Sequence, residues 1–318
     1  MKLISVVAPM YNEEGLVAEY CSETLKALEK TNNEYLYEII LVNDGSSDNT
    51  LMEMQKQYQK NKDYISIINL SRNFGLEGAV NAAMRTAIGD AVIVMDADLQ
   101  DPPALILEMV KKWELGADIV SAVRISRKND TLFKRTSANA FYGILDNMSG
   151  KVKIRRGAAN FKLLNRKAVD IINQLPESNP VFRVTVPFVG LHEEYIEYER
   201  DKRYAGKTKY NLKSMVPYAL DSITGISVEP LRKIRLGIAV STFLFLINFI
   251  LVFFLKDILQ VTAIICSAMF FMFAILFFCV AVMGEYIAQI FIETKHRPIS
   301  IINEHLPSDN CKKRKDTM

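Results

Sequence analysis

The chain has 318 residues, half of them apolar, with 39 Lys and Arg against 36 Asp and Glu and a net charge of +3. So even a balance excludes a nucleic-acid binder held by bulk charge, and the length fits one large α/β domain plus something smaller. Four cysteines stand far apart, without disulfide or metal spacing, as in proteins of a reducing compartment.

The amino terminus begins as a strand, Lys2 to Ala8, and shows no signal peptide. In chain order, strand-like runs fall at residues 3–8, 38–42, 65–70, 91–95 and 118–122. Helix-like stretches lie between them near residues 14–30, 49–60, 76–88 and 103–114. This alternation predicts an α/β domain with a mainly parallel sheet covered on both faces. Such sheets bind ligands at the carboxyl ends of their strands, and there the polar residues gather. Pro9-Met10-Tyr11-Asn12-Glu13 follows the first strand, Asn43-Asp44-Gly45-Ser46 the second and Ser71-Arg72-Asn73-Phe74-Gly75 the third.

The fourth strand ends in Asp96-Ala97-Asp98-Leu99-Gln100-Asp101-Pro102-Pro103. Two carboxylates spaced i and i+2 leave a buried strand, and the proline pair stops it and opens a helix. Hard divalent cations take oxygen ligands and keep positions for substrate phosphates, so this stretch predicts a site for a nucleoside diphosphate.

From residue 124 to about 200 the pattern is less regular, with a basic stretch of Arg124, Arg127, Lys128, Lys134 and Arg135. A glycine-hinged loop, Arg203 to Tyr210, precedes an apolar stripe of Leu212, Met215, Val216, Ala219, Leu220 and Ile223. That spacing fits a helix packed in a core or lying on a bilayer. Uncharged runs at 236–255 and 258–283 are each long enough to cross a membrane, and the short link makes them a hairpin. Arg232, Lys233 and Arg235 precede the pair, and Lys295, Arg297 and Lys312 to Lys315 follow it. The positive-inside rule therefore places both flanks in the cytoplasm of a multi-pass plasma-membrane protein. The resulting division is a domain at 1–210, juxtamembrane helices at 211–235, two spans within 236–283 and a tail at 284–318.

These motifs, in this order and with Arg203-x-x-Gly206-x-Thr208-Lys209-Tyr210 and Gly284-Glu285-Tyr286, resemble the inverting GT-A glycosyltransferases of family 2. Within them they are most similar to the polyprenyl-phosphate sugar transferases, the bactoprenol glucosyltransferase and dolichol-phosphate mannose synthase group. The resemblance spans roughly residues 3–300. It implies a Rossmann-like GT-A domain, a Mg²⁺ or Mn²⁺ cofactor, a nucleotide-sugar donor and a polyprenyl phosphate acceptor in the bilayer, and a homotetramer. It assigns the nucleotide sugar to Pro9, Tyr11, Glu13, Asp44 and Asp96, with Arg203 and Lys209 closing over the diphosphate. It assigns the metal to Asp98 and Gln100 and the lipid phosphate to Arg124 and Arg135; Asp96, Asp98, Arg124 and Arg135 form the catalytic set. UDP-glucose is the expected donor, with UDP-N-acetylglucosamine, UDP-galactose and GDP-mannose as alternatives.

The chain departs from the family in places. Leu76 stands where many relatives have His, Asn43 where Asp is frequent, and Asn160-Phe161-Lys162 replaces Asp-Phe-Arg. A processive polysaccharide synthase would add Gln-x-x-Arg-Trp, whereas the single tryptophan here, Trp113, lies in another context. A non-catalytic scaffold would not need the intact aspartate pair.

Overall fold

The computed structural model describes residues 1–31, 35–125, 155, 157–177, 180–199, 229–252 and 257–316. The first five strands are β1 (Lys2–Met10), β2 (Tyr35–Asn43), β3 (Ile65–Leu70), β4 (Ala91–Val94) and β5 (Ile119–Arg124). Between them run α1 (Val17–Glu29), α2 (Thr50–Lys60), α3 (Gly75–Thr86) and α4 (Ile106–Glu114). The alternation read from the sequence is therefore present, with boundaries shifted by a few residues. Pro103–Leu105 forms a short 3₁₀ turn ahead of α4, because proline fixes the first helical φ and donates no hydrogen bond.

The less regular region contributes β6 (Ala158–Asn165), α5 (Arg166–Gln174), α6 (Phe182–Phe188) and β7 (Glu193–Tyr198). The sheet order is β7-β5-β6-β4-β1-β2-β3-β8, where β8 is Ile302–Leu306. Strands β1 to β4 pair in parallel, as do β5 and β7, while β6 runs antiparallel between β4 and β5.

Central strands buried on both faces read as continuous apolar runs, and β1 and β4 do so. On one face Ile4, Val6, Ile39 and Ile93 pack with Tyr20, Leu28 and Met54 of α1 and α2 and with Ile106 and Met109 of α4. On the other, Val7, Ile40, Val92 and Val94 meet Val80 and Met84 of α3, Val169 of α5 and Phe182 and Val186 of α6. Asn165 caps α5, its Oδ1 accepting the Ala168 N–H at 2.8 Å.

Two long helices follow, α7 (Glu229–Val252) and α8 (Ile258–Thr294), packed against each other. A Cβ on Gly237 would lie 3.4 Å from Cys279 Sγ and Ile275, so the helices approach closely there. Asp257, in the link between the two helices, caps α8 by accepting the Leu259 N–H at 3.0 Å, so this acidic residue has a local structural function. Among the described residues one helix is long and apolar enough to cross a membrane, α8, with mean hydropathy 2.7. The apolar part of α7, Ala239–Ile250, is shorter. The expected first span at 236–255 is thus present only as this shorter apolar segment, and residues 253–256 lie outside the described set. The expected end of the second span at 283 falls inside α8, whose 37 residues reach about 55 Å.

The stretch read as a tail folds back onto the domain. β8 pairs antiparallel with β3, Ile67 opposite Leu306, and α9 (Asp309–Lys315) packs beneath β2. The Ser308 N–H donates to Ser66 Oγ at 2.8 Å, and Asn310 Nδ2 donates to the Tyr37 carbonyl at 3.0 Å. Arg314 pairs with Asp90 at 2.9 Å. Buried Glu38 accepts from Ser5, Ser66 and Ser308, and burial raises its carboxyl above the usual range.

Candidate active site

The loops that leave β1, β2 and β3 are tied to one another. The Asn12 N–H donates to Ser46 Oγ at 3.0 Å, and Asn12 Oδ1 accepts the Ser47 N–H at 2.8 Å. Asn12 has φ 53°, a left-handed conformation that Asn tolerates better than most residues. The Glu13 N–H donates to Thr50 Oγ1 at 2.8 Å. Gly45, with φ 62°, crosses the third loop so closely that a Cβ would collide with the backbone of Arg72 and Asn73. Tyr11 is exposed and Pro9 buried, so only the first presents an open ring.

Asp44 holds the third loop. Its two carboxylate oxygens accept the N–H groups of Phe74 at 2.7 Å and Gly75 at 3.0 Å, at the start of α3. Burial still raises its pKa to about 6 against those two hydrogen bonds. This residue, expected at the nucleotide, thus also supports the loops that would surround one.

The end of β4 carries the main charge cluster. Asp96, Asp98 and Gln100 are partly exposed, while Asp101 is fully buried. Leu99, between the second aspartate and the glutamine, has φ 53°. A bulky residue in that conformation is strained, and such strain concentrates at functional turns. Asp98 Oδ1 accepts the Gln100 N–H at 3.2 Å across this turn. Burial, followed by the charges of Asp101 and Asp98, raises the Asp96 pKa to about 6, with Arg124 and Arg183 acting in the opposite direction.

Arg124 leaves the end of β5 and meets Asp101 and Tyr198. Its Nη2 lies 3.4 Å from Asp101 Oδ2, and its Nε donates to the Tyr198 hydroxyl at 3.1 Å. That hydroxyl in turn donates to Asp101 Oδ1 through a short hydrogen bond. The guanidinium is therefore fixed before any ligand arrives.

Asp101 and Tyr198 were not read from the sequence as site residues. Asp101 was legible, since it ends the Asp96-to-Asp101 run; Tyr198 follows no motif and is found only through β7 pairing with β5. A second buried group stands nearby on β6. Lys162 Nζ donates to Ser121 Oγ at 2.5 Å and pairs with Glu193 at 3.3 Å, while burial lowers its pKa. Arg135, Arg203 and Lys209 lie outside the described residues, as does the stripe from Leu212 to Ile223.

Residues 5–172 match the family model described as "Glycosyl transferase family 2". The chain belongs to this family. It is a glycosyltransferase, and its domain has the mostly parallel, helix-covered sheet expected of the GT-A type. An uncharacterized glycosyltransferase of Bacillus subtilis, YkcC, is 37% identical over 98% of this family 2 chain and 97% of its own length. The bactoprenol glucosyl transferase of Shigella phage SfV is 34% identical over 94% of this chain and 97% of its own. A solved mannosyltransferase of Pyrobaculum calidifontis, in complex with GDP-Man and Mn²⁺, aligns with 18% identity and a TM-score of 0.46. That alignment covers 70% of this chain and 61% of the other.

Proposed function

We propose that this family 2 glycosyltransferase moves a sugar, glucose from UDP-glucose, onto polyprenyl phosphate at the cytoplasmic face of the plasma membrane, with inversion at the anomeric carbon. The observation that carries the reading is the Asp96–Asp98–Asp101 cluster beside a preset Arg124, in a sheet whose edge is completed by β8 beyond an apolar membrane-type helix. Similarity over nearly the full length to a bactoprenol glucosyl transferase supports the acceptor and the donor sugar.

The donor set suits Mg²⁺ or Mn²⁺. Asp98 and Gln100 supply oxygens across the Leu99 turn, and crowded carboxylates lose repulsion when a divalent cation joins them. Among the described residues no group of three or more His, Cys, Asp or Glu is arranged to hold a metal. Two protein donors would leave the remaining positions to diphosphate and water. When bound, the metal would supply Lewis-acid neutralisation of the departing diphosphate.

A phosphate acceptor is already anionic at neutral pH, so no general base is needed. The residues need only align two anionic substrates and offset their repulsion. Arg124, held by Asp101 and Tyr198, presents a fork suited to phosphate, with Arg135 as its partner. Tyr11, Pro9, Glu13 and Asp44 order the base and ribose, and Asp96 faces the ribose and sugar. Arg203 and Lys209 close over the diphosphate and exclude water. β8, which follows α8, pairs into the catalytic sheet, and this supports a hairpin whose second helix leaves the bilayer on the side of that domain. In this reading the pocket sits at headgroup height, where a polyprenyl phosphate presents its head. A homotetramer completes the family-based reading.

A melting-temperature panel of nucleotide sugars with Mn²⁺ tests the donor, since a ligand that binds only the folded state raises stability. UDP-glucose should give the largest shift. A larger shift with GDP-mannose, UDP-galactose or UDP-N-acetylglucosamine would replace the donor and keep the reaction.

A further inference from the structure

Strands β5, β6 and β7 share a buried polar bridge that lies outside the carboxylate cluster. Lys162 of β6 is buried, and its Nζ donates to Ser121 Oγ of β5 at 2.5 Å. That hydroxyl donates to Glu193 Oε1 of β7 at 2.5 Å, and Lys162 Nζ itself lies 3.3 Å from the same oxygen. The Tyr195 hydroxyl donates to the other carboxylate oxygen at 3.0 Å. The bridge thus ties β7, the last strand on its side of the sheet among the described residues, across β5 to β6.

A buried ion pair is a weak source of stability, because the cost of desolvating two charges offsets their attraction; its better use is to specify one arrangement. β7 needs such a device. It is six residues long and pairs in parallel with β5, Ile119 opposite Glu193 and Arg124 opposite Tyr198. Sliding it by one residue would turn Ile196 and Tyr198 out of the core, so the apolar pattern forbids that slip. A slip of two residues keeps every side chain on its face, and the pattern does not oppose it. Such a slip would set Tyr195 opposite Ile119, leave Lys162 without its carboxylate, and carry Tyr198 about 7 Å along the strand from Arg124. Lys162 therefore reads the register of β7. The far end of that register is the Tyr198 hydroxyl, bonded to Arg124 Nε at 3.1 Å and to Asp101.

We propose that Glu193 is a positioning residue for acceptor binding: held by Lys162 and Ser121, it fixes β7 in the one register in which Tyr198 orients Arg124 toward the lipid phosphate. This rests on the glycosyl-transfer reading above. The loops after β1, β2 and β3 lie on the far side of β4 in the sheet. A fault in β7 should therefore reach the acceptor and spare the donor.

The test is steady-state transfer from UDP-glucose to a short-chain prenyl phosphate with the full-length protein in detergent, beside thermal unfolding. Removing one charge alone would strand its buried partner, so the main variant is the double change Lys162→Met with Glu193→Gln, which removes both. It should melt close to wild type and raise the prenyl phosphate KM by roughly 3- to 10-fold, the scale of one hydrogen bond. The KM for UDP-glucose should stay within about twofold, as expected where donor binding is spared. Ser121→Ala, which removes the bridging hydroxyl and keeps both charges, should raise the acceptor KM in the same direction, and it decides the matter if the double variant does not fold. Made in a Tyr198→Phe background, the double change should raise the acceptor KM no further, because the hydroxyl through which it acts is gone. An unchanged acceptor KM in the folded variants would overturn the proposal. So would an equal rise for both substrates, or a rise that simply adds to that of Tyr198→Phe, because a purely structural pair gives those results. Wild-type protein assayed alongside separates the two levels: if it transfers no sugar, the glycosyl-transfer reading falls and this inference with it.

Discussion

Replacing Tyr198 by Phe removes one oxygen and keeps the ring, so its effect can be worked out from two contacts. The hydroxyl donates to Asp101 and accepts from Arg124 Nε at 3.1 Å. Hydrogen bonds to charged groups are worth about 1.5–3 kcal/mol each. Arg124 keeps some access to water, which compensates its lost acceptor, whereas Asp101 is fully buried and has no such substitute. The net cost is therefore dominated by Asp101, about 2–3 kcal/mol. For a domain of this size that corresponds to a melting temperature lower by about 5–10 °C. Tyr195→Phe is the internal control. Its hydroxyl donates to Glu193 at 3.0 Å near the surface, and its loss should cost under about 1 kcal/mol. The assay is thermal unfolding of both variants in one detergent, with prenyl phosphate KM measured in parallel. The Tyr198 variant should also show a raised acceptor KM, because Arg124 is no longer held on both sides. A Tyr198→Phe protein that melts within about 1 °C of wild type with an unchanged acceptor KM would refute the idea that this triad presets the arginine.

Asp98→Ala should abolish transfer while the protein stays folded, and EDTA should do the same reversibly; near-normal turnover in that variant would remove the metal assignment. Asp96 and Asp44 both have pKa values raised from 3.8 to about 6, so the folded state holds their protons more tightly than the unfolded chain. Their contribution to stability is complete below 3.8 and is lost as the pH rises through about 6. Metal-free protein should accordingly melt lower at pH 7 than at pH 5, and Mn²⁺ should restore more stability at pH 7; a flat profile with and without Mn²⁺ would contradict this. Arg314→Ala and Asn310→Ala should each destabilise the domain by about 1–2 kcal/mol in thermal unfolding, since each loses a contact that clamps α9. No change in either would mean that α9 is a loose tail in solution. A reporter placed between α7 and α8 should be found outside the cytoplasm and one at the carboxyl terminus inside; both on one side would overturn the hairpin.

The first five strands were legible because parallel strands buried on both faces leave continuous apolar runs, and their carboxyl ends attract the polar residues the site needs. Asp96 and Asp98 were visible for that reason. β6 and β7 were not. β6 alternates around Lys162, a buried cation whose partners Ser121 and Glu193 come from two other strands, so its polarity in sequence resembles an exposed loop. The pairing of β8 was hidden for a similar reason: Glu304 and His305 look like a solvated tail, and only the edge of β3 supplies their ladder. The surroundings of Arg124 were half legible. The sequence puts it just past a fifth strand ending at 122, whereas it is the last residue of β5, and Tyr198 and Asp101, 74 and 23 residues away in sequence, could be joined to it only by the fold.

The central claim is transfer of a hexose to a lipid phosphate, and the most direct measurement follows both products of that step. Purified protein is incubated with UDP-[¹⁴C]glucose, Mn²⁺ and undecaprenyl phosphate, and label is counted in the organic phase while UDP is counted in water. The account predicts equal amounts of extractable, acid-labile glucolipid and released UDP, with both lost in Asp98→Ala. UDP released with the label left in water as free glucose, or label held in a polymer, would contradict it.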